Sequence, residues 1–290
     1  MSFLAALLWA LLGLVPGLAP HAPATDRATR EVTVAIGGGR PGPRPGDPPI
    51  LGSRNPSRPL VVIDAGHGGR DPGATSSHDG AREKDIVLAL ARAVRDELVR
   101  SNRVRVALTR DEDRFIDLRE RYEIARRLGA DLFISIHADS APLNDAARGA
   151  TIYTLSEVAS DREAALLAQA ENRSDIIGGV DLGGRNADVN LILIDLAQRE
   201  SMDISAQFSR LLQREAAPLF PFRPEPHRFA SLVVLKAPDV PSILFESGYL
   251  TNIDDSRHIQ SPEGRAQIAT GMRRAIEAHF ARRLVRVAGS

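Results

Sequence analysis

Two histidines and two glutamates stand where an apolar run meets a turn or where a helix begins: His67, Glu83, His137 and Glu246. His67 is reached through Val61-Val62-Ile63-Asp64-Ala65-Gly66-His67-Gly68-Gly69-Arg70-Asp71-Pro72-Gly73, a β-branched strand that stops at Asp64 and becomes a glycine-rich turn. Two imidazoles and one carboxylate, here His67, Glu83 and His137, are the donor set of many catalytic zinc sites, which keep a fourth position open. Glu246 follows Ser242-Ile243-Leu244-Phe245 directly. A carboxylate at that place is costly unless something charged meets it, and beside a metal it would act as a general base, taking a proton from an attacking water and passing it to a departing nitrogen. Other readings of single residues remain open at this level. His67 fits a tight turn, Glu83 fits a first-turn acid favoured by the helix dipole, and His137 fits a satisfied histidine at a strand end. Glu246 would also suit an ion pair with an arginine such as Arg110. The glycine spacing matches neither a dinucleotide fingerprint nor a P-loop.

The elements that must position these groups alternate in type. Strands are expected at Leu60–Asp64, Val104–Thr109, Asp131–Ile136, Ala150–Leu155, Ser231–Leu235 and Ser242–Phe245. Helices are expected at Glu83–Arg100, with Ile86, Val87, Leu90, Val94 and Leu98 on one face, at Leu118–Leu128 before Gly129, and at Glu263–Leu284. Between Asp161 and Leu219 the chain reads as mainly helical. The expected fold is α/β, a mostly parallel twisted sheet with helices on both faces, in which ligands collect beyond the carboxyl ends of the strands.

The 290 residues carry 37 basic and 37 acidic side chains and no cysteine. Neutral balance gives no basic stripe for nucleic acid, and the lack of cysteine leaves histidine and carboxylate as the available metal ligands. Residues 1–24 read as a secretory signal peptide: the apolar run Phe3–Val15 is short for a membrane span and small residues follow at Ala22-Pro23-Ala24. The first basic residue is Arg27, so the usual positive start is missing and an uncleaved anchor is the other reading. Residues 25–58 are rich in Pro, Gly and Arg and read as a linker; no later segment reaches transmembrane length.

Taken together, Ile63-Asp64-Ala65-Gly66-His67-Gly68-Gly69 with Asp71-Pro72-Gly73-Ala74, Glu83-Lys84, Leu108-Thr109-Arg110, Ser135-Ile136-His137-Ala138-Asp139 and Pro241 through Asn252 resemble the zinc-dependent N-acetylmuramoyl-L-alanine amidases, in order from about Leu60 to Phe280. The resemblance implies one catalytic domain over 59–286, Zn²⁺ on His67, Glu83 and His137, Glu246 as the catalytic glutamate, and cleavage of the amide between N-acetylmuramic acid and L-alanine in peptidoglycan. It further implies a periplasmic enzyme of cell separation whose insertion, 161–213, occludes the site until an activator protein moves it. A helix over Asp161–Asn172 would supply the occluding carboxylate, Glu171 first and Glu163 second, with Leu191-Ile192-Leu193-Ile194 as either core or docking surface. Members of this type often carry an extra N-terminal targeting domain, where this sequence has only the linker. A zinc peptidase acting on stem peptides and a wall-binding module without chemistry are the competing readings.

Overall fold

The computed structural model describes residues 42–141, 146–177 and 191–288. Its strands are β1 (Leu51–Gly52), β2 (Leu60–Ala65), β3 (Arg105–Leu108), β4 (Leu132–Asp139), β5 (Ala150–Leu155), β6 (Phe222–Ala230) and β7 (Ser242–Tyr249). They form one seven-stranded sheet in the order β1-β3-β2-β4-β7-β5-β6. The central pairs β3/β2, β2/β4 and β4/β7 are parallel, as is β5/β6, while β1/β3 and β5/β7 are antiparallel.

Strand alternation sends side chains to two cores. Val61, Ile63 and Ala65 of β2 join Ile134 and Ile136 of β4 and Ile243 and Phe245 of β7 on one face. That face is covered by α1 (Glu83–Ser101), the later part of α5 (Leu191–Ala216) and α7 (Pro262–Ala288). Leu60, Val62, Phe133 and Leu244 point the other way, under α2 (Leu118–Leu128) and α3 (Arg162–Glu171). Both of these latter helices start on a capping aspartate: Asp117 accepts from the Glu120 N–H and Asp161 from the Ala164 N–H. The short α4 (Ser174–Ile177) follows α3, and α6 (Ile253–Gln260) precedes α7.

Four expectations change. The strand expected at Ser231–Leu235 is a single 3₁₀ turn at Val233–Leu235, and the strand is β6, over Phe222–Ala230. Its Arg-Pro-Glu-Pro-His composition hides it in the sequence, and a sheet edge is where prolines are tolerated. His137 and Glu246 lie inside β4 and β7 rather than beyond them, because the ladder continues through their register pair. The expected insertion 161–213 is not one regulatory piece, since Phe208 and Leu212 of α5 are buried in the main core. Of the Leu191–Ile194 run, the backbone opens α5 and the side chains lie outside the described residues.

The expected linker, finally, does not extend to residue 58. Leu51–Gly52 pairs with β3, and Asp47 bonds the buried Arg127 through both Nε and Nη2, the latter at 2.6 Å. That bond holds the Asp47 carboxyl below its ordinary range. Truncation to residue 59 is therefore expected to cost about 1–3 kcal/mol, the scale of a charge-assisted hydrogen bond, and calorimetry should show a melting temperature lower by several degrees. Asp47→Ala should reproduce most of the loss, and an unchanged melting temperature would return 44–58 to the linker. The expected signal peptide and most of the linker lie outside the described residues, among which no helix is long and apolar enough to cross a membrane.

Candidate metal centre

His67 sits just past β2 with φ 56°, a left-handed backbone that a non-glycine residue adopts at a cost of about 1–3 kcal/mol. Two buried arginines hold it there. Arg121 donates to the carbonyls of Ala65 and His67, both at 2.8 Å, and Arg110 to those of Ala65 and Gly66 at 2.9 and 2.7 Å. Asp64 balances Arg121 at 3.0 Å and also accepts from Thr109 and Ser135 at 2.6 and 2.7 Å. Burial works against the Asp64 charge, but Arg121 and the two hydroxyls outweigh it and the carboxyl stays below its usual range. Arg110 is occupied by carbonyls, including that of Lys84, so it does not pair with Glu246.

The turn after His67 brings Asp71 under the ring, where it accepts from Nδ1 at 2.8 Å. A carboxylate on one imidazole nitrogen fixes the tautomer and leaves Nε2 as a free acceptor, the usual way a ligating histidine is oriented. Asp71 is the residue that sequence reasoning missed; its place four residues after His67 in the turn was the available signal. Ser174 of α4 donates a second hydrogen bond to the same carboxylate oxygen. Despite burial, these bonds pull the Asp71 carboxyl down to about 2.

Glu83 opens α1, and its two oxygens accept from the backbone N–H groups of Ala74 and Ala138 at 2.8 and 2.9 Å. Held in this way, Oε1 stands 3.1 Å from His67 Nε2 and 3.3 Å from His137 Nδ1. The His137 ring meets the His67 ring edge-on at 4.8 Å. A Cβ at Gly66 would lie 2.5 Å from the His137 ring, and one at Gly73 would lie 2.6 Å from both Glu83 Oε2 and His67, so these two glycines are required by the close approach.

Glu171, the last residue of α3, completes the group: its Oε2 is 3.1 Å from His137 Nδ1 and 3.5 Å from His67 Nε2. His67 Nε2, His137 Nδ1 and Glu171 Oε2 are all buried without a hydrogen-bond partner, and donor atoms of these three residues lie within 4.8 Å of one another. Glu83 lies beside them. Its Oε1 is nearer to His67 Nε2 than Glu171 is, and a carboxylate oxygen that accepts one backbone N–H still has a lone pair. Burial disfavours charge on the two imidazoles, yet the surrounding carboxylates, Glu83 and Glu171 foremost, raise both to about 10. Charge that holds protons there so firmly would equally hold a divalent cation, which displaces them. Orphaned donors of the right kind, converging on one point, fit zinc.

Glu246 faces His137 across the parallel β4/β7 ladder. It is 1 % exposed and neither carboxylate oxygen has a partner, so burial and then Asp139, Glu171 and Glu83 push it well above the usual carboxylate range. Asp139, half-buried, lines the cavity and is raised to about 7. That cavity, about 250 Å³, is bounded by His67, Glu83 and Asp139 on one side and by Glu171, Ser174 and Ile177 on the other. A larger one of about 390 Å³ between residues 46–51 and 108–114 holds no such cluster. Glu163, the second choice for an occluding carboxylate, is elsewhere, bonded to Arg223 of β6. Removal of the Asp71 carboxylate in Asp71→Asn should weaken zinc binding by about 10- to 100-fold, the scale for an orienting partner; chelator competition measures it.

A family model described as N-acetylmuramoyl-L-alanine amidase matches residues 61–278. The N-acetylmuramoyl-L-alanine amidase AmiA of Salmonella typhimurium is 37% identical over 225 residues, 77% of each chain. AmiC of Neisseria meningitidis is 37% identical over 235 residues, which are 79% of this chain and 56% of that protein. Among solved structures, the amidase AmiC2 of Nostoc punctiforme aligns with a TM-score of 0.54 at 26% identity, covering 77% of this chain and 97% of the other.

Proposed function

Because the chain belongs to the N-acetylmuramoyl-L-alanine amidase family, we propose that it hydrolyses the amide between N-acetylmuramic acid and L-alanine in peptidoglycan, with zinc on His67, Glu83 and His137, and that α3 keeps this site closed. The observation that carries the reading is the convergence of unsatisfied His67 Nε2 and His137 Nδ1 on Glu83 Oε1 and Glu171 Oε2. When bound, zinc lowers the pKa of water and polarises a carbonyl. The chain's own groups do the rest. Asp71 holds His67 in its acceptor tautomer, and the Ala138 and Ala74 N–H groups fix the Glu83 carboxylate. Glu246, partnerless and buried beside His137, takes the proton of the attacking water and delivers it to the departing L-alanine nitrogen. The same desolvation that isolates Glu246 keeps bulk water from competing for that proton.

Four protein donors make a closed zinc set, and three leave the position that catalysis needs. Glu171 is the fourth, carried by the last turn of α3. Three contacts beside it support the closed reading: Asn172 bonds the Ser231 carbonyl and the Val233 N–H, Ser174 bonds Asp71, and Asp175 accepts from the Leu118 N–H at the start of α2. A periplasmic activator protein that binds the displaced helix would open the site, by no more than its differential affinity for the two states. Export through the segment 1–24 and a role in cell separation belong to the same reading. A peptidase cutting within the stem shares the donor set, and a wall-binding module would need none of it.

Incubation of zinc-loaded protein with peptidoglycan, followed by mass spectrometry, decides among these. Intact stem peptides with an L-alanine amino terminus are expected beside bare glycan; shortened stems would show a peptidase, and no products even after removal of the α3 contact would show a binding module. Glu171→Ala should raise the rate by about tenfold or more, the scale of one lost charged contact of 1.5–3 kcal/mol, with no gain in zinc. A rate equal to the parent's would make α3 plain scaffold.

A further inference from the structure

The helix α3 carries carboxylates near both ends, and each is met by a different group of cations. At its C-terminal end Glu171 faces the two histidines. Near its start, Asp161 and Glu163 face β6. Arg223 bonds Glu163 through both Nη atoms, Arg228 bonds Asp161 and stands 3.3 Å from Glu163, and the Tyr249 hydroxyl donates to Glu163 at 3.1 Å. Arg228 is largely buried, with a side chain 10% exposed, and its Nη1, the atom 3.3 Å from Glu163, makes an ion pair there without a well-directed hydrogen bond. Two guanidinium groups and a phenol around one carboxylate form a recognition site of the kind arginine is suited to.

This group and the metal centre lie under opposite ends of α3. His137, Glu246 and Thr151 follow one another in register across β4, β7 and β5, and Arg228 of β6 pairs with Tyr153, two residues further along β5. Three strand-to-strand steps of about 4.8 Å and a shift of two residues along the strand, about 7 Å, put the backbones of His137 and Arg228 roughly 16 Å apart. From Glu163 to Glu171 the helix advances eight residues, roughly 12 Å at about 1.5 Å each. Side chains bridge the remainder: Glu163 meets the arginines and Glu171 the histidines, so α3 lies across the sheet between them.

We propose that Arg223 and Arg228, with Tyr249, form a carboxylate subsite for the peptide of the substrate, and that Glu163 occupies it in place of that carboxylate while α3 is seated. The proposal rests on the amidase reading above. Once α3 leaves, Arg223 and Arg228 lose the carboxylates of Glu163 and Asp161, and a substrate carboxylate would restore a charge-assisted partner. Glycan offers hydroxyls and amides, whereas the peptide bears carboxylates, so the peptide runs from the metal centre toward β6. An extended peptide advancing about 3.3 Å per residue covers about 13 Å in four residues, and the long arginine side chains span the remainder to its third and fourth residues.

The test uses full-length protein carrying Glu171→Ala and two synthetic muramoyl tetrapeptides, one with free carboxylates at the third and fourth residues and one with these amidated. The ratio of their kcat/KM values does not depend on how much enzyme is open, since both need the same opening. The parent is expected to prefer the free acid by about tenfold or more, the scale of one charge-assisted contact. Arg223→Gln with Arg228→Gln should bring the ratio near one through KM with kcat kept, and Glu163→Gln should leave it unchanged. Calorimetric titration of the free tetrapeptide gives the same comparison without turnover, as a Kd raised by a similar factor in the arginine variants. If the double variant does not fold, Arg223→Gln alone, at a more exposed side chain, should still lower the ratio. Cleavage of both substrates at equal rates by the parent, or an undiminished preference in a zinc-loaded arginine variant, overturns the subsite alone. Cleavage of neither substrate overturns the amidase reading and the subsite with it.

Discussion

Glu246→Gln is expected to keep its zinc and lose about a hundredfold or more in turnover, the usual scale for a general acid–base group. Glutamine preserves shape and removes the only function assigned to this side chain. Nothing in the surrounding contacts gives Glu246 a structural duty: both oxygens are buried without a hydrogen-bond partner, and the arginine that the sequence offered, Arg110, is bonded to backbone carbonyls instead. Burial and neighbouring acids favour its neutral form in the metal-free protein, so an uncharged amide there should not impair folding. Metal analysis and turnover on the same preparation separate the two roles. Activity within a few-fold of the parent would assign Glu246 to scaffold.

His67→Ala and His137→Ala should each lose zinc and, with it, essentially all turnover, because either change leaves two of the three proposed ligands. The effect on stability follows from burial. Both imidazoles are inside the protein, at 6% and 3% exposure, among Asp71, Glu83, Glu171 and Asp139. Taking away one imidazole and the metal leaves those carboxylates facing each other in a poorly solvated space, so the variants should fold but melt below the parent. A metal site on the surface would have spared the melting temperature. Full zinc occupancy in both variants would overturn the ligand assignment.

Much of the architecture is local and therefore legible in the residues. Continuous apolar runs such as Leu60–Ala65 and Leu132–Ile136 read as buried strands because a covered parallel sheet buries both faces, and Asp161 and Asp117 cap helices because the capping bond reaches only three residues. The metal-type donors were legible because each follows an apolar run or opens a helix in the sequence, although His137 lies inside β4 rather than beyond it. Edge strands were not. β1 and β6 are defined by whom they pair with, and a two-residue strand or one with two prolines carries no pattern of its own.

What the sequence determined by itself is the set of chemical groups and the strands and helices that present them. Tertiary structure alone decided which groups meet. Glu163 and Glu171 are eight residues apart on one helix, about two turns, and helical periodicity gives either an equal claim to the histidines. Arg223 and Arg228 settle it from some 60 residues away by taking Glu163 and Asp161, which leaves Glu171 at the other end. Likewise Asp64, a lone acid in an apolar strand, becomes intelligible only beside Arg121, Thr109 and Ser135, drawn from β4 and from chain 45 to 71 residues downstream. Buried charges are chosen by partners distant in sequence, because only the folded sheet brings their opposite charges within bonding range, and no local pattern records that choice.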